Sequence, residues 1–231
     1  MIKVLSFSLW GNNPTYNIGA IKNAELAKQY YPNFECWFYI HSPTVPINIV
    51  NKLNTFENVK IILKDGDLNT TKPMMWRFEA IDDPNVEVMM SRDTDTRILL
   101  REKLAVDEWL ESGKIFHIMR DHPHHSFLIL GGMFGMKKIS SITNICNLIN
   151  NIIQNGNRDY DQDFLRDMIY PTIKDNCIIH TSFISFQGEN TKPFPIPYDN
   201  EYRFVGEYVY SNDSRSQHHI NELKNELKKK I

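Results

Sequence analysis

The sequence predicts an α/β domain in which helices cover both faces of a mainly parallel sheet. In the first half of the chain, short apolar stretches typical of strands alternate with stretches of helical spacing, as in parallel sheets with crossover helices. At 231 residues, of which 42% are hydrophobic, the chain has the size of one medium domain with a sizeable core. It contains no internal repeat, low-complexity tract or evident linker.

The elements of the first half each follow from a local pattern. Residues 3–10 have the pattern of a strand that is broken by Gly11-Asn12-Asn13-Pro14, and helical spacing predicts a helix over 17–31 that stops at Pro32. The same reasoning predicts further strands and helices in alternation. The strands are expected over 35–41, 59–63 and 86–93, and the helices over 47–55, 74–81 and 101–112.

The second half is less regular. The expected strands cover 115–119, 127–137 and 177–186, with glycines interrupting the second of them. The expected helices cover 140–155, 162–169 and 216–231. In the last of these, Ile220, Leu223 and Leu227 form a narrow apolar stripe. The stripe predicts a terminal helix that either docks on the domain or makes a weak contact with a membrane or partner.

Composition excludes several classes of function. With 26 basic and 28 acidic residues the net charge is −2, which gives no general attraction to nucleic acid. The three cysteines lack the spacing of a metal site and suit a reducing compartment. Neither a signal segment nor an apolar run long enough to span a membrane is evident, so we expect a cytoplasmic protein.

The strongest indication of chemistry is the end of the strand Val86-Glu87-Val88-Met89-Met90-Ser91-Arg92. It is followed by Asp93-Thr94-Asp95, and in an extended chain Asp93 and Asp95 project to the same side. Carboxylate oxygens hold hard divalent cations, and ligands of open α/β sheets bind at the carboxyl ends of strands. We therefore expect a metal site here, although Asp-x-Asp also occurs in ordinary solvated turns.

Three other motifs allow both a functional and a structural interpretation. Asp161 and Asp163 stand at a helix start, where a carboxylate also serves as a cap. His180 lies in an apolar strand, where a histidine is more often a hydrogen-bonded core residue than a ligand. Gly131-Gly132 lets the backbone approach a ligand closely, but turn formation explains it equally well.

A loop rich in histidine is a further candidate. His117, His122, His124 and His125 fall within nine positions around Arg120-Asp121. Because no HExxH motif or cysteine partner accompanies them, zinc is not favoured. We expect a polar loop that grips a hydroxylated or anionic ligand, with a merely solvated loop as the alternative.

Taken in order, these motifs resemble those of the glycogenin-like family-eight glycosyltransferases. The resemblance spans residues 3–206 and rests on Tyr16-Asn17-Ile18-Gly19-Ala20, Arg77, Asp93-Thr94-Asp95, Asp161-Gln162-Asp163-Phe164-Leu165, and Ile178-Ile179-His180 followed by Lys192-Pro193-Phe194. Ser91-Arg92-Asp93-Thr94-Asp95-Thr96-Arg97 and His117-Ile118-Met119-Arg120-Asp121-His122-Pro123 look closer still to small glycosyltransferase domains of large DNA viruses and bacterial polysaccharide pathways.

The resemblance implies a GT-A fold, a single Rossmann-like α/β/α sandwich. Residues 1–215 would form the glycosyltransferase domain, followed by a C-terminal helix over 216–231. Within the domain, about 1–100 would bind the nucleotide sugar and about 101–215 the acceptor.

The resemblance also implies a role for each motif. Asp93, Asp95 and His180 would hold a cation, and Asp161 and Asp163 would face the reacting sugars. Two carboxylates and an imidazole favour Mn²⁺ over Mg²⁺. The nucleotide-sugar side would consist of Leu9, Trp10, Gly11, Tyr16, Arg77 and Thr94. The acceptor side would consist of Arg120, Asp121, His122, Gly131 and Gly132. The segment from His180 to Lys192 is longer than the family's spacing, which puts Lys192 in doubt as a phosphate ligand.

The expected function is therefore a metal-dependent transfer of a sugar from a nucleoside-diphosphate sugar, with UDP as the expected nucleotide, to a glycan or another hydroxyl acceptor. One alternative is a nucleotide-sugar or carbohydrate-binding domain without catalysis. Another is a phosphatase of the haloacid-dehalogenase type, whose motif requires Thr or Val where this chain has Arg97.

Overall fold

The computed structural model of the chain describes residues 1–68, 72–139, 144–151 and 159–230. The strands are β1 (Ile2–Leu9), β2 (Glu35–His41), β3 (Val59–Lys64), β4 (Val86–Arg92), β5 (Phe116–Arg120), β6 (Met133–Lys137), β7 (Cys177–Thr181) and β8 (Thr191–Lys192). The α-helices are α1 (Pro14–Tyr30), α2 (Ile47–Leu53), α3 (Leu100–Glu111), α4 (Ile145–Asn151), α5 (Tyr160–Phe164), α6 (Tyr170–Ile173) and α7 (Gln217–Lys228). Two 3₁₀ helices cover Lys72–Asp82 and Lys174–Asn176, and a π-helical turn covers Leu165–Ile169.

The strands form one sheet in the order β3-β2-β1-β4-β6-β5-β7-β8. All of the described pairings are parallel except those of β6, which runs antiparallel to both β4 and β5. In the register of β4 and β6, Arg92 lies opposite Met133. The beginning of β6 therefore meets the carboxyl ends of β1 and β4 at one edge of the sheet, which is where ligands bind in open α/β sheets.

The predicted α/β fold with a mainly parallel sheet is confirmed. Strand β8 and helix α6 were not expected, the helix expected over 74–81 is a 3₁₀ helix, and the helix expected over 162–169 is divided into α5 and the π-helical turn. The other differences from the sequence lie at the ends of elements. The strand expected over 127–137 is shorter, because Gly131 and Gly132 form a turn before Met133. The strand expected over 177–186 ends at Thr181. The helix expected over 140–155 is present as Ile145–Asn151, while 140–143 and 152–155 lie outside the described residues.

Two layers of apolar side chains cover the faces of the sheet. On β1, the alternate residues Leu5, Phe7 and Leu9 are buried beneath α1 and α3, whereas Val4 joins the opposite layer with the long 3₁₀ helix. Ser8 also belongs to that opposite face, where its hydroxyl accepts a hydrogen bond from the backbone N–H of Arg77 at 3.0 Å. The alternation of β1 thus fixes the position of the 3₁₀ helix, and with it Arg77, beneath the edge of the sheet.

Helix α1 holds the segment that follows β4. It starts with Asn13, whose side chain accepts a hydrogen bond from the Thr15 N–H at 2.9 Å, and continues with Pro14. A Cβ at Gly19 would overlap the carbonyl oxygen of Thr94, so only glycine permits this approach. Asn23 donates to the carbonyl of Thr96 at 2.8 Å. Two successive turns of α1 therefore fix the Asp93-Thr94-Asp95 turn.

The predicted terminal helix is confirmed as α7 and docks on the domain through the buried residues Ile220 and Leu223. Among the described helices, none has the length and apolar character needed to cross a membrane.

Candidate active site

A cleft of about 600 Å³ opens at the sheet edge where β1 and β4 end and β6 begins. Its lining comes from separate stretches of the chain. These are the end of β1 and the residues after it, the long 3₁₀ helix, the Asp93-Thr94-Asp95 turn, the turn before β6 and the start of α5, together with His125 and Gly206. All six residues expected on the nucleotide-sugar side line it, namely Leu9, Trp10, Gly11, Tyr16, Arg77 and Thr94. Trp10 and Tyr16 expose aromatic surface there.

Asp93 and Asp95 both line the cleft, as expected, although they lie in a turn rather than in the strand itself. The carbonyl of Asp95 accepts a hydrogen bond from the Val209 N–H at 2.8 Å, which ties the turn to the C-terminal part of the domain. Burial, together with the charge of Asp93, raises the pKa of Asp95 to about 7. The cleft therefore concentrates negative charge at this turn.

Arg77 joins the two acidic motifs at the floor of the cleft. Its Nη1 donates to Asp93 Oδ1, and its Nη2 donates to Asp161 Oδ2 at 3.0 Å. The Arg77 side chain is only 7% exposed. Although burial opposes its charge, the carboxylates of Asp93 and Asp161 raise the pKa of Arg77. The guanidinium is thus a permanent, buried cation facing the cleft.

Asp161 and Asp163, both expected to face the reacting sugars, are separated by the structure. Asp161 lines the cleft, and burial raises its pKa against the opposing charge of Arg77. Asp163 does not line the cleft and instead accepts a hydrogen bond from Arg166 at 2.7 Å, as part of the outer face of α5. The expectation for Asp163 is therefore corrected, because on a helix residues two apart point in different directions.

Gly131 and Gly132 line the cleft and lie directly behind the carboxylates. A Cβ at Gly131 would overlap Asp161 Oδ2, and one at Gly132 would overlap Asp93 Oδ2. They were expected on the acceptor side. Because they have no Cβ, they instead permit Asp93, Arg77 and Asp161 to approach the start of β6 closely.

His180 does not join Asp93 and Asp95. It is fully buried on β7, which β6 and β5 separate from β4, so it lies roughly 14 Å across the sheet at the usual strand spacing. Its Nε2–H donates to Glu108 Oε2 at 2.8 Å, and its Nδ1 accepts from His117 Nε2–H at 2.8 Å. Burial and the charge of Arg101 lower the pKa of His180 to about 4, so the ring is a neutral member of a buried network.

The same network accounts for Lys192, whose ammonium pairs with Glu108 outside the cleft. The expected three-residue metal set is therefore not assembled. Among the described parts of the chain, no group of three His, Cys, Asp or Glu side chains is arranged to hold a metal ion.

Three residues expected on the acceptor side have structural roles instead. Arg120, 1% exposed, donates to Glu189 at 2.6 Å. His122 stacks on Phe204 with ring centroids 4.4 Å apart and donates to the carbonyl of His219 on α7. Neither side chain lines the cleft.

Asp121 is the most connected of the three and is fully buried. It accepts hydrogen bonds from Arg101 at 2.8 and 2.9 Å, from the Ser182 hydroxyl at 2.6 Å and from the Val205 N–H at 2.9 Å. Its carboxylate joins α3, the residue after β7 and the C-terminal segment, so its lone pairs are committed to the fold and not to a ligand.

Sequence reasoning missed several residues that line the cleft, which are Ser8, Asn12, Asn13, Met74, Leu130, Met133, Asp159, Gln162 and Gly206. His125 also lines the cleft, and it was expected only as one member of a ligand-gripping loop. His125 belongs to the histidine-rich loop, but no spacing distinguishes it from its neighbours. Its Nδ1 accepts the backbone N–H of Asp121 at 2.9 Å, which turns the ring toward the cleft and leaves the proton on Nε2. The structure of the loop is needed to show that His125 faces the cleft.

The comparisons with known proteins bear on the fold. No protein-family model matches the chain, and no curated protein matches it. A solved structure of a glycosyltransferase involved in the glycosylation of the major capsid of PBCV-1 is similar, with a TM-score of 0.50 and 16% sequence identity over 78% of this chain and 81% of that chain. The chain has a GT-A-like fold. At this identity the likeness concerns the course of the backbone alone.

Proposed function

We propose that this chain is a glycosyltransferase that takes a nucleoside-diphosphate sugar, with UDP as the expected nucleotide, and transfers the sugar to a hydroxyl of a glycan or other acceptor. The observation that carries the proposal is the floor of the cleft. There a buried guanidinium, that of Arg77, lies between Asp93 and Asp161 and beside Asp95, at the ligand-binding edge of a GT-A-like sheet.

The residue types suit the chemistry of a departing nucleoside diphosphate. Breaking the bond between the anomeric carbon and the phosphate oxygen places negative charge on the diphosphate. A preorganised cation such as Arg77 stabilises that charge where it develops, and its planar fork binds phosphate oxygens in pairs. Trp10 and Tyr16 also line the cleft, and their exposed rings provide flat surfaces for a base or a sugar.

A divalent cation fits this cleft in part. Asp93 and Asp95 supply two carboxylates, and without His180 the protein offers a set of oxygen ligands alone. Such a set suits Mg²⁺ or Mn²⁺ completed by phosphate oxygens and water, and without an imidazole ligand Mn²⁺ is no longer favoured over Mg²⁺. The cation would supply Lewis-acid stabilisation of the leaving diphosphate.

Asp161 is the carboxylate we assign to the reacting sugars. It is held by Arg77 Nη2 and by the Gln162 N–H at 2.9 Å, so its oxygens have a fixed direction at the cleft wall. A carboxylate in that position can orient a sugar hydroxyl or stabilise positive charge at the anomeric carbon.

The test is release of nucleoside diphosphate from a panel of UDP-, GDP- and ADP-sugars, with Mn²⁺, with Mg²⁺ and with chelator. Water serves as the acceptor, so the natural acceptor need not be known. We expect turnover with one nucleotide class that Asp95→Asn abolishes. Asp107→Asn, which changes a half-exposed carboxylate on α3, is the matched control.

The alternatives are separated by adding a binding measurement with the same nucleotide sugars and a hydrolysis assay with phosphate esters. Binding of a nucleotide sugar without any turnover would support a binding domain. Phosphate release from phosphate esters, with no use of nucleotide sugars, would support the phosphatase.

A further inference from the structure

The carboxylate of Asp93 is held on both sides. Its Oδ1 receives the Arg77 Nη1–H, and its Oδ2 lies against the backbone of Gly132. Yet its side chain is 41% exposed at the cleft, so a ligand can reach it. The Asp93 carboxylate can therefore contact Arg77 at the floor of the cleft and a ligand inside the cleft.

Arg77 and a divalent cation are rival partners for this carboxylate. Both are positive, and on one carboxylate they would lie within a few ångströms of each other in a partly desolvated site, where like charges repel strongly. A cation on Asp93 thus requires the guanidinium to move away or to gain another negative partner.

A diphosphate is that partner. Arg77 lines the cleft, and its Nε is buried without a hydrogen-bond partner among the described residues. A guanidinium with an unused donor gains more from paired phosphate oxygens than one that is already saturated. The second contact, to Asp161, keeps the side chain at the floor while its Nη1 changes partner.

We propose that Arg77 couples cation binding to diphosphate binding: it pairs with Asp93 until a diphosphate accepts its guanidinium, and a divalent cation then takes its place on Asp93. This inference rests on the proposed function, because it assigns an order of events to the same cleft. It predicts that the cation and the diphosphate bind cooperatively, through the exchange of partners at one carboxylate.

The experiment is calorimetric titration of Mn²⁺ into the full chain, alone and with pyrophosphate or UDP. We expect the unchanged protein to bind Mn²⁺ weakly alone and much more tightly with either diphosphate. In Arg77→Met, Mn²⁺ alone should bind about 10-fold more tightly than in the unchanged protein, and the gain from diphosphate should shrink.

Arg166→Met is the matched control. Arg166 pairs with two carboxylates, Asp163 and Asp167, but lies outside the cleft, so its loss removes the same charge without touching Asp93. Arg77→Lys keeps the charge and cannot bridge both carboxylates as a fork, so it should bind Mn²⁺ with intermediate affinity. It also serves if Arg77→Met does not fold.

The outcomes separate this inference from the proposed function. If the unchanged protein binds Mn²⁺ with diphosphate but neither Arg77 variant binds Mn²⁺ alone more tightly than Arg166→Met, the exchange is refuted and the proposed function stands. If no variant binds Mn²⁺ or either diphosphate, both are overturned.

Discussion

The backbone of Gly132 lies directly against the carboxylate of Asp93, with no room for a Cβ between them. The register of the sheet produces this approach, because Arg92 on β4 lies opposite Met133 on the antiparallel β6. The residue after one strand and the residue before the other are thereby brought face to face. The acidic turn and the glycine pair are therefore two halves of one feature.

Gly132→Ala should impair the cleft more than the fold. The added methyl group displaces Asp93, and a displacement of about 1 Å at a reacting site costs about 100-fold in turnover. Overpacking should cost about 1–3 kcal/mol of unfolding free energy. Donor turnover and urea denaturation measure the two effects. Gly66→Ala, whose Cβ would meet only Trp76 at 3.7 Å, should change neither appreciably, and equal losses in both variants would contradict the assignment.

Asp161→Asn and Asp163→Asn should behave differently although they are two residues apart. Asp161 lies in the cleft on Arg77, so neutralising it should lower turnover about 100-fold. Asp163 pairs with Arg166 outside the cleft, so its amide variant should keep turnover within about 2-fold, as an exposed ion pair has little energetic weight. Steady-state rates of both variants decide between them, and a dead Asp163→Asn with normal Asp161→Asn would restore the expectation from the sequence.

Asp121→Ala should lower the free energy of unfolding, because Asp121 has a structural role and not only a contact with an acceptor. Removing this buried carboxylate leaves Arg101 without its ion pair, and such a loss costs about 3–5 kcal/mol. Glu201→Ala, at an exposed pair with Arg203, should cost less than about 1 kcal/mol. Chemical denaturation compares the two. A stable Asp121→Ala protein with a selective defect in transfer would return Asp121 to the acceptor side.

The histidine-rich loop should make stability depend on pH. Burial and the neighbouring His122, His124 and His219 lower the pKa of His125 to about 3, whereas an unfolded histidine titrates near pH 6.5. Between those values the unfolded chain binds more protons, so the free energy of unfolding falls as the pH falls below about 6.5, by up to about 1.4 kcal/mol per pH unit for this residue.

Denaturation of His125→Gln at pH 7, 6 and 5 should therefore show a smaller loss of stability with acid than the unchanged protein. His218→Gln removes an exposed ring of the same cluster and is the control. An unchanged slope in His125→Gln would show that other groups govern the acid sensitivity.

The sequence predicted the frame of the molecule because local patterns determine it. Strand and helix spacing located β1 to β4 and their helices to within a few residues, and the expected Asp93-Thr94-Asp95 motif does line the cleft. Arg77 was expected there through a resemblance, and the alternation of β1, through Ser8, explains its place. The sequence could not predict which distant residues form hydrogen bonds with the polar side chains.

The corrected residues show why. His117 and His180 are 63 positions apart, and Asp121 is joined to Val205 across 84. Each is of a residue type that often binds ligands, but each forms hydrogen bonds within the protein instead. The register of β5 and β7 brings the two histidines together, and the path of the C-terminal segment brings Val205 to Asp121. A polar residue type shows that a partner is needed, but not whether that partner is protein or ligand.

The reversed strand β6 also has a consequence for how the molecule folds. Strands β1, β2 and β3 pair in order, but the floor of the cleft needs pairings between distant parts of the chain. Ile2 of β1 lies opposite Val86 of β4, and Arg92 of β4 lies opposite Met133 of β6. Contacts of such wide sequence separation form slowly, because the entropy of closing the chain must first be overcome. The acidic turn therefore acquires its glycine backing late. A partly folded chain presents carboxylates without the geometry to use them, and binding competence should appear together with the last cooperative step of folding.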